Sequence, residues 1–137
     1  MKALVIKETA KTPAIIFMPG GEFLLKGKSI PESVYTLYIP VFEWLEEFKA
    51  PNVTLNIDLE YINSASKVIL LEIFHTIELK KTVRNITVNW YFDPDDEDHY
   101  EMGQIFEEAT TRIEFNYLKN HVPTDSRLPF SEITKSR

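Results

Sequence analysis

Between Val53 and Leu79 the apolar residues change their repeat once, and that change limits what the chain can build. Val53, Leu55, Ile57 and Leu59 alternate with Thr54, Asn56, Asp58 and Glu60, the period-two pattern of a strand with one buried face. From Ser66 onward Ile69, Leu70, Ile73, Phe74 and Ile77 recur at three- and four-residue steps, so the strand runs into an amphipathic helix. The joint is Asn63-Ser64-Ala65-Ser66, small residues of the kind that cap helices by accepting hydrogen bonds from unpaired backbone N–H groups. A hydroxyl in such a joint is exposed, held by rigid elements and close to the positive end of a helix. Free N–H groups and the helix dipole stabilise negative charge there, which makes it a favourable place for a phosphate.

The rest of the chain arranges itself around that unit. Ala3-Leu4-Val5-Ile6 is a short apolar run, an edge strand or an ordered arm. Thr12 to Phe17 reads as a strand entered at Pro13, and Pro19-Gly20-Gly21 turns it into a second strand, Glu22 to Lys26, ended by Gly27 and Lys28. Ser29 and Glu32 have capping-box spacing for a helix burying Val34, Leu37, Tyr38, Val41, Trp44, Leu45 and Phe48. Pro40 predicts a kink near Thr36 to Ile39, or two shorter helices, and Pro51 closes the segment.

After the central unit, Thr82 to Asn85 returns the chain to the sheet. Ile86, Val88, Trp90 and Phe92 alternate as another strand. Asp93-Pro94-Asp95-Asp96-Glu97-Asp98 is an acidic turn suited to the positive end of the helix that follows, which carries Tyr100, Ile105, Phe106 and Ala109. Ile113 to Tyr117 is the last strand. The order predicts an α/β fold: a mixed sheet of four to five strands covered by helices, antiparallel in the opening hairpin and parallel around the joint. A single domain is expected over residues 1–118, with a tail at 119–137 that docks through Leu128, Phe130 and Ile133 or stays mobile.

Composition removes several functions. The chain has no cysteine, so disulfides, cysteine-ligated metals and cysteine nucleophiles are excluded together. A net charge of −6 opposes the non-specific attraction on which nucleic-acid binding relies, which favours protein partners. Neither a leader peptide nor an apolar run of membrane length is visible, so a cytoplasmic protein without membrane insertion is expected.

With its polar loop between a central strand and helix, this architecture resembles the STAS fold of anti-sigma factor antagonists. Thr12-Pro13-Ala14-Ile15, Pro31-Glu32-Ser33, Trp44-Leu45, Leu59-Glu60-Tyr61-Ile62-Asn63-Ser64-Ala65-Ser66-Lys67 and Val88-Asn89-Trp90-Tyr91 are together similar to the SiaC family of bacterial regulatory phosphoproteins. The resemblance implies a non-enzymatic protein that needs no cofactor. It implies a serine/threonine kinase and a PPM-type phosphatase as modifying partners. It also implies a diguanylate cyclase bound and activated by the unphosphorylated form, in c-di-GMP signalling and biofilm regulation. By position the phosphoacceptor is Ser64, directly after the loop asparagine, with Ser66 the fallback. The family usually has threonine followed by two serines where this chain reads Ser64-Ala65-Ser66.

Each feature also has a plainer explanation. Ser64 or Ser66 can be simply a helix cap. Lys67, Val68, Leu71 and His75 fall on the same helical side as Ser64 and, with Asn63, form the expected partner surface; a small rotation would bury Leu71 instead. The acidic turn lacks the central glycine and distal glutamate of a calcium loop, and His75, His99 and His121 show no zinc spacing, so no metal site is expected. The neighbouring acids are expected to favour protonated His99. Two rival functions follow: an anti-sigma factor antagonist in a partner-switching cascade, or a small enzyme or ligand-binding domain using the acidic turn 93–98. The second requires a concave pocket containing Asp95, Asp98 or His99.

Overall fold

The computed structural model describes residues 1–123. In chain order it contains β1 (Leu4–Ile6), β2 (Ala14–Phe17), β3 (Glu22–Ser29), α1 (Val34–Glu47), β4 (Asn52–Ile62), α2 (Ser64–Glu78), β5 (Asn85–Phe92), α3 (Glu97–Glu108) and β6 (Ile113–Lys119). The sheet has six strands in sequential order, more than the four to five expected, because the N-terminal arm joins it as β1. β1, β2 and β3 pair antiparallel, and β3 through β6 pair parallel.

Ile15, Phe17, Phe23, Leu25, Leu55, Ile57, Val88 and Trp90 face one side and merge with the buried residues of all three helices. The intervening Ile16, Leu24 and Tyr91 form a smaller cluster with Val122 on the opposite side. All three crossover helices therefore cover one face of the sheet, and their apolar stripes are what the sheet buries. Gly21 adopts φ 107° in the β2–β3 turn, where a Cβ would collide with the Asn52 carbonyl, so the backbones of the turn and β4 meet only because this residue is glycine.

Several local expectations change. β3 does not stop at Gly27 and Lys28; a register shift between those residues carries it on to Ser29. Ser29 is therefore a fully buried strand residue and not a helix cap. The cap of α1 is Ser33, whose Oγ accepts the Thr36 N–H at 3.4 Å. Pro40 lies within one uninterrupted helix. The polar half of β4 is not solvated throughout, since Asn56 and Asp58 are buried. Asn56 donates to the Phe23 carbonyl and accepts from Asn89, which in turn accepts from Asn116, a ladder that satisfies these amides across the face without helices. The packed chain continues beyond residue 118: Asn120 donates to the Phe92 carbonyl and Val122 is buried. Leu128, Phe130 and Ile133 lie outside the described residues.

Candidate functional site

β4 ends at Ile62, and Asn63 turns the chain into α2 with φ −74° and ψ 169°. Its Oδ1 accepts the Ser66 N–H at 2.8 Å, its carbonyl accepts the Lys67 N–H at 3.0 Å, and its own N–H donates to the Ser29 carbonyl at 2.9 Å. Asn63 is thus the helix cap and ties the joint to the end of β3. Ser64 is the first residue of α2 and is exposed, with no hydrogen bond to its hydroxyl among the described residues.

Ser66 is different: it is only 2% exposed. Ser29 Oγ donates to Ser66 Oγ at 2.8 Å, and the Tyr38 hydroxyl lies 2.7 Å from Ser29. Because the Ser29 proton goes to Ser66, the Tyr38 hydroxyl donates to Ser29, and a chain of hydroxyls links α1, β3 and α2 under the joint. Burial pushes the Tyr38 phenol up to about 12, partly offset by its bond with Ser29, so it stays protonated. One hydroxyl of the joint is accessible and the other braces it.

Along α2, Lys67 and Val68 are exposed and Leu71 is half-buried. Leu71 and Val68 form one wall of a groove of about 500 Å³ whose other wall is Met102, Ile105 and Phe106 of α3. Ile105, one of the residues that marked this helix in the sequence, is 65% exposed. His75 is spent within the fold: its Nε2 lies 2.9 Å from the carbonyl of Ala109, a groove residue at the end of α3, and so ties the two helices together. The α3 wall escaped sequence reasoning, although the periodicity of α3 was its available signal. Nothing in the chain alone showed that α2 and α3 would leave a gap.

The acidic turn is structured from within. Asp93 Oδ1 accepts the Asp95 N–H at 2.9 Å, and Asp96 caps α3 by accepting the His99 N–H at 3.1 Å. A second hollow, of about 270 Å³, contains His99, Asp93 and Asp96; Asp98 stands on the α2–α3 groove, and Asp95 lines neither. The expectation for His99 reverses. Burial lowers its pKa below the usual 6.5, and the opposing pull of Asp96, Asp58 and Asp93 does not overcome it. Among the described residues, no group of three or more His, Asp or Glu is placed to hold a metal ion.

Sequential parallel crossovers with the helices on one face define a STAS-like α/β domain, with an exposed hydroxyl at the start of its central helix. The profile of the SiaC family regulatory phosphoproteins matches residues 6–120, and the chain belongs to the SiaC family. It is similar to apo-SiaC from Pseudomonas aeruginosa, with TM-score 0.76 and 28% identity, covering 86% of this chain and 99% of that one. The structure of the Pseudomonas aeruginosa diguanylate cyclase SiaD in complex with its activator SiaC matches with TM-score 0.77 and 28% identity, over 85% of this chain and 99% of the matched chain. An uncharacterised protein of Pseudomonas aeruginosa strain UCBPP-PA14 is 30% identical over 113 residues, 79% of this chain and 90% of its own length. Among the described residues no helix is long and apolar enough to cross a membrane.

Proposed function

We propose that the protein is a non-enzymatic switch in which the covalent state of Ser64 decides whether a diguanylate cyclase docks across α2 and α3. The reading rests chiefly on the contrast at the joint: Ser64 offers an open hydroxyl at a helix N-terminus, while Ser66 is sealed beneath it. The cyclase as partner is supported by the likeness to SiaC, the activator found in complex with SiaD. A serine/threonine kinase writes the mark and a PPM-type phosphatase erases it. The docking face runs from Asn63 and Lys67 over Val68 and Leu71 to Met102 and Ile105, with His75 tying α2 to Ala109 at the end of α3.

A phosphoryl group adds about −1.5 to −2 charges at neutral pH, and the helix end and Lys67 hold it in place. A partner surface shaped for a neutral hydroxyl then has to desolvate a dianion, which costs more than a surface groove returns. Titrating the cyclase with the unmodified and the phosphorylated protein is expected to show binding at least about tenfold weaker for the phosphorylated form. Equal affinity overturns the switch, and recovery of a sigma-regulating kinase in place of a cyclase from native lysate reassigns the partner.

A further inference from the structure

The sheet carries helices on one side only, yet its other side is not left polar. By alternation Ala14, Ile16 and Leu24 face away from the helices, and they are 1%, 2% and 1% exposed. Burial this complete needs a layer over β2 and β3. Among the described residues, the apolar side chains packed with Ile16 and Leu24 are Met18 just past β2, Tyr91 of β5 and Val122. Of these Val122 alone belongs neither to the sheet nor to its opening turn, and one valine does not cover two strands set about 4.8 Å apart.

The chain that follows β6 already runs toward the uncovered strands. Asn120 turns with a left-handed backbone, φ 76°, and its N–H donates to the Phe92 carbonyl at the end of β5 at 2.8 Å. His121 Nδ1 then lies 3.1 Å from Asp58 Oδ1 on β4, and the Val122 N–H donates to Asp58 Oδ2 at 2.8 Å. Asp58 points to the side without helices, since Ile57 and Leu59 on either side of it join the core beneath them. The path thus crosses β5, then β4, and sets Val122 against Ile16 and Leu24; β3 and β2 come next in the sheet.

The described residues end at 123 and the chain continues to 137, beyond the stretch 6–120 that the family profile matches. Its large apolar residues are Leu128, Phe130 and Ile133, with Pro129 between the first two. Proline favours extended backbone at the residue before it, and residues two apart in an extended segment face the same way, so Leu128 and Phe130 suit burial on one surface. The segment from Val122 to Leu128 reaches at most about 20 Å, against about 10 Å from β4 to β2.

We propose that residues 124–137 lie over the helix-free face of the sheet and bury Leu128 and Phe130 against Ala14, Ile16 and Leu24, closing that face with the chain's own end. Tethering at Val122 gives the segment an effective concentration in roughly the millimolar range at this face, which a second copy in free solution does not match. Ser64 and the α2–α3 groove stay open on the helical side, so the proposal does not rest on the switch.

The test is NMR on the full chain with labelled methyl groups. Nuclear Overhauser contacts are expected from the Ile16 and Leu24 methyls to the Leu128 methyls or the Phe130 ring. The double variant Leu128→Ser with Phe130→Ser is expected to lose them and to lower Tm by several degrees, because it uncovers Ile16 and Leu24. Absence of these contacts in the parent overturns the proposal, as do contacts from Phe130 to Val68 or Ile105, which place the segment in the α2–α3 groove. Contacts that appear only between labelled and unlabelled chains in a mixed sample overturn it in favour of a second copy.

Discussion

The side-chain oxygen of Asn63 accepts the backbone N–H of Ser66 at 2.8 Å, and Ser64 between them is left outside the hydrogen bonding of the joint. The two serines consequently answer to different selection: Ser66 to the fold, and Ser64 to whatever reaches it from solvent.

Alanine substitution separates them. Ser66→Ala takes the acceptor from the buried Ser29 hydroxyl, which is expected to cost about 1–3 kcal/mol and lower Tm by several degrees. Ser64→Ala removes no hydrogen bond seen in the fold and is expected to stay within about 0.5 kcal/mol of the parent. In kinase assays Ser64→Ala is expected to lose phosphate incorporation. Full labelling of that variant, with phosphate mapped to Ser66, would refute the assignment.

The groove between α2 and α3 is tested by charge. Val68 and Ile105 are 58% and 65% exposed, so neither supports the core. Val68→Glu and Ile105→Glu are each expected to leave the denaturation midpoint nearly unchanged and to weaken cyclase binding by about tenfold or more, as loss of an apolar anchor does. Loss of binding by Val68→Glu alone would confine the partner to α2.

What the sequence made legible follows its periodicities. The change of repeat at Asn63 located β4, α2 and the joint, because both elements bury an apolar stripe that leaves a regular trace. The Ser29–Glu32 spacing misled, because Ser29 spends its hydroxyl under α2 and a capping motif carries no record of tertiary burial. Asn56 and Asp58 read as solvated residues; their partners, Asn89, Val122 and His121, come from distant parts of the chain. The same limit hid the α2–α3 groove and the setting of His99, where packing outweighs the neighbouring acids.

His99 makes stability depend on pH. Its pKa in the folded protein is below the usual 6.5, chiefly through burial, so as pH falls the unfolded chain binds a proton first. The contribution is complete above pH 6.5 and is lost as pH drops through that value toward the folded pKa. Urea denaturation at about pH 7.5 and about pH 5.5 is expected to show a smaller loss in His99→Phe than in the parent. Equal losses would mean that His99 titrates freely in the folded state.

Gly103 fixes how closely α3 approaches the sheet. A Cβ there would stand 2.7 Å from Trp90 Cδ1 and 2.8 Å from Tyr117 Cε1, rigid rings on β5 and β6. Trp90 is fully buried and its Nε1 donates to the His99 carbonyl at 3.0 Å, so it cannot retreat without breaking that bond. Gly103→Ala gains helix propensity of about 1 kcal/mol, yet the overpacking cost of about 1–3 kcal/mol opposes it, and net destabilisation is expected. Because α3 carries one wall of the groove, the displaced helix is also expected to weaken cyclase binding. Calorimetric Tm and binding titration on the same variant check both effects; a Tm at or above that of the parent would show that the rings yield and that the approach of α3 is not limited by this residue.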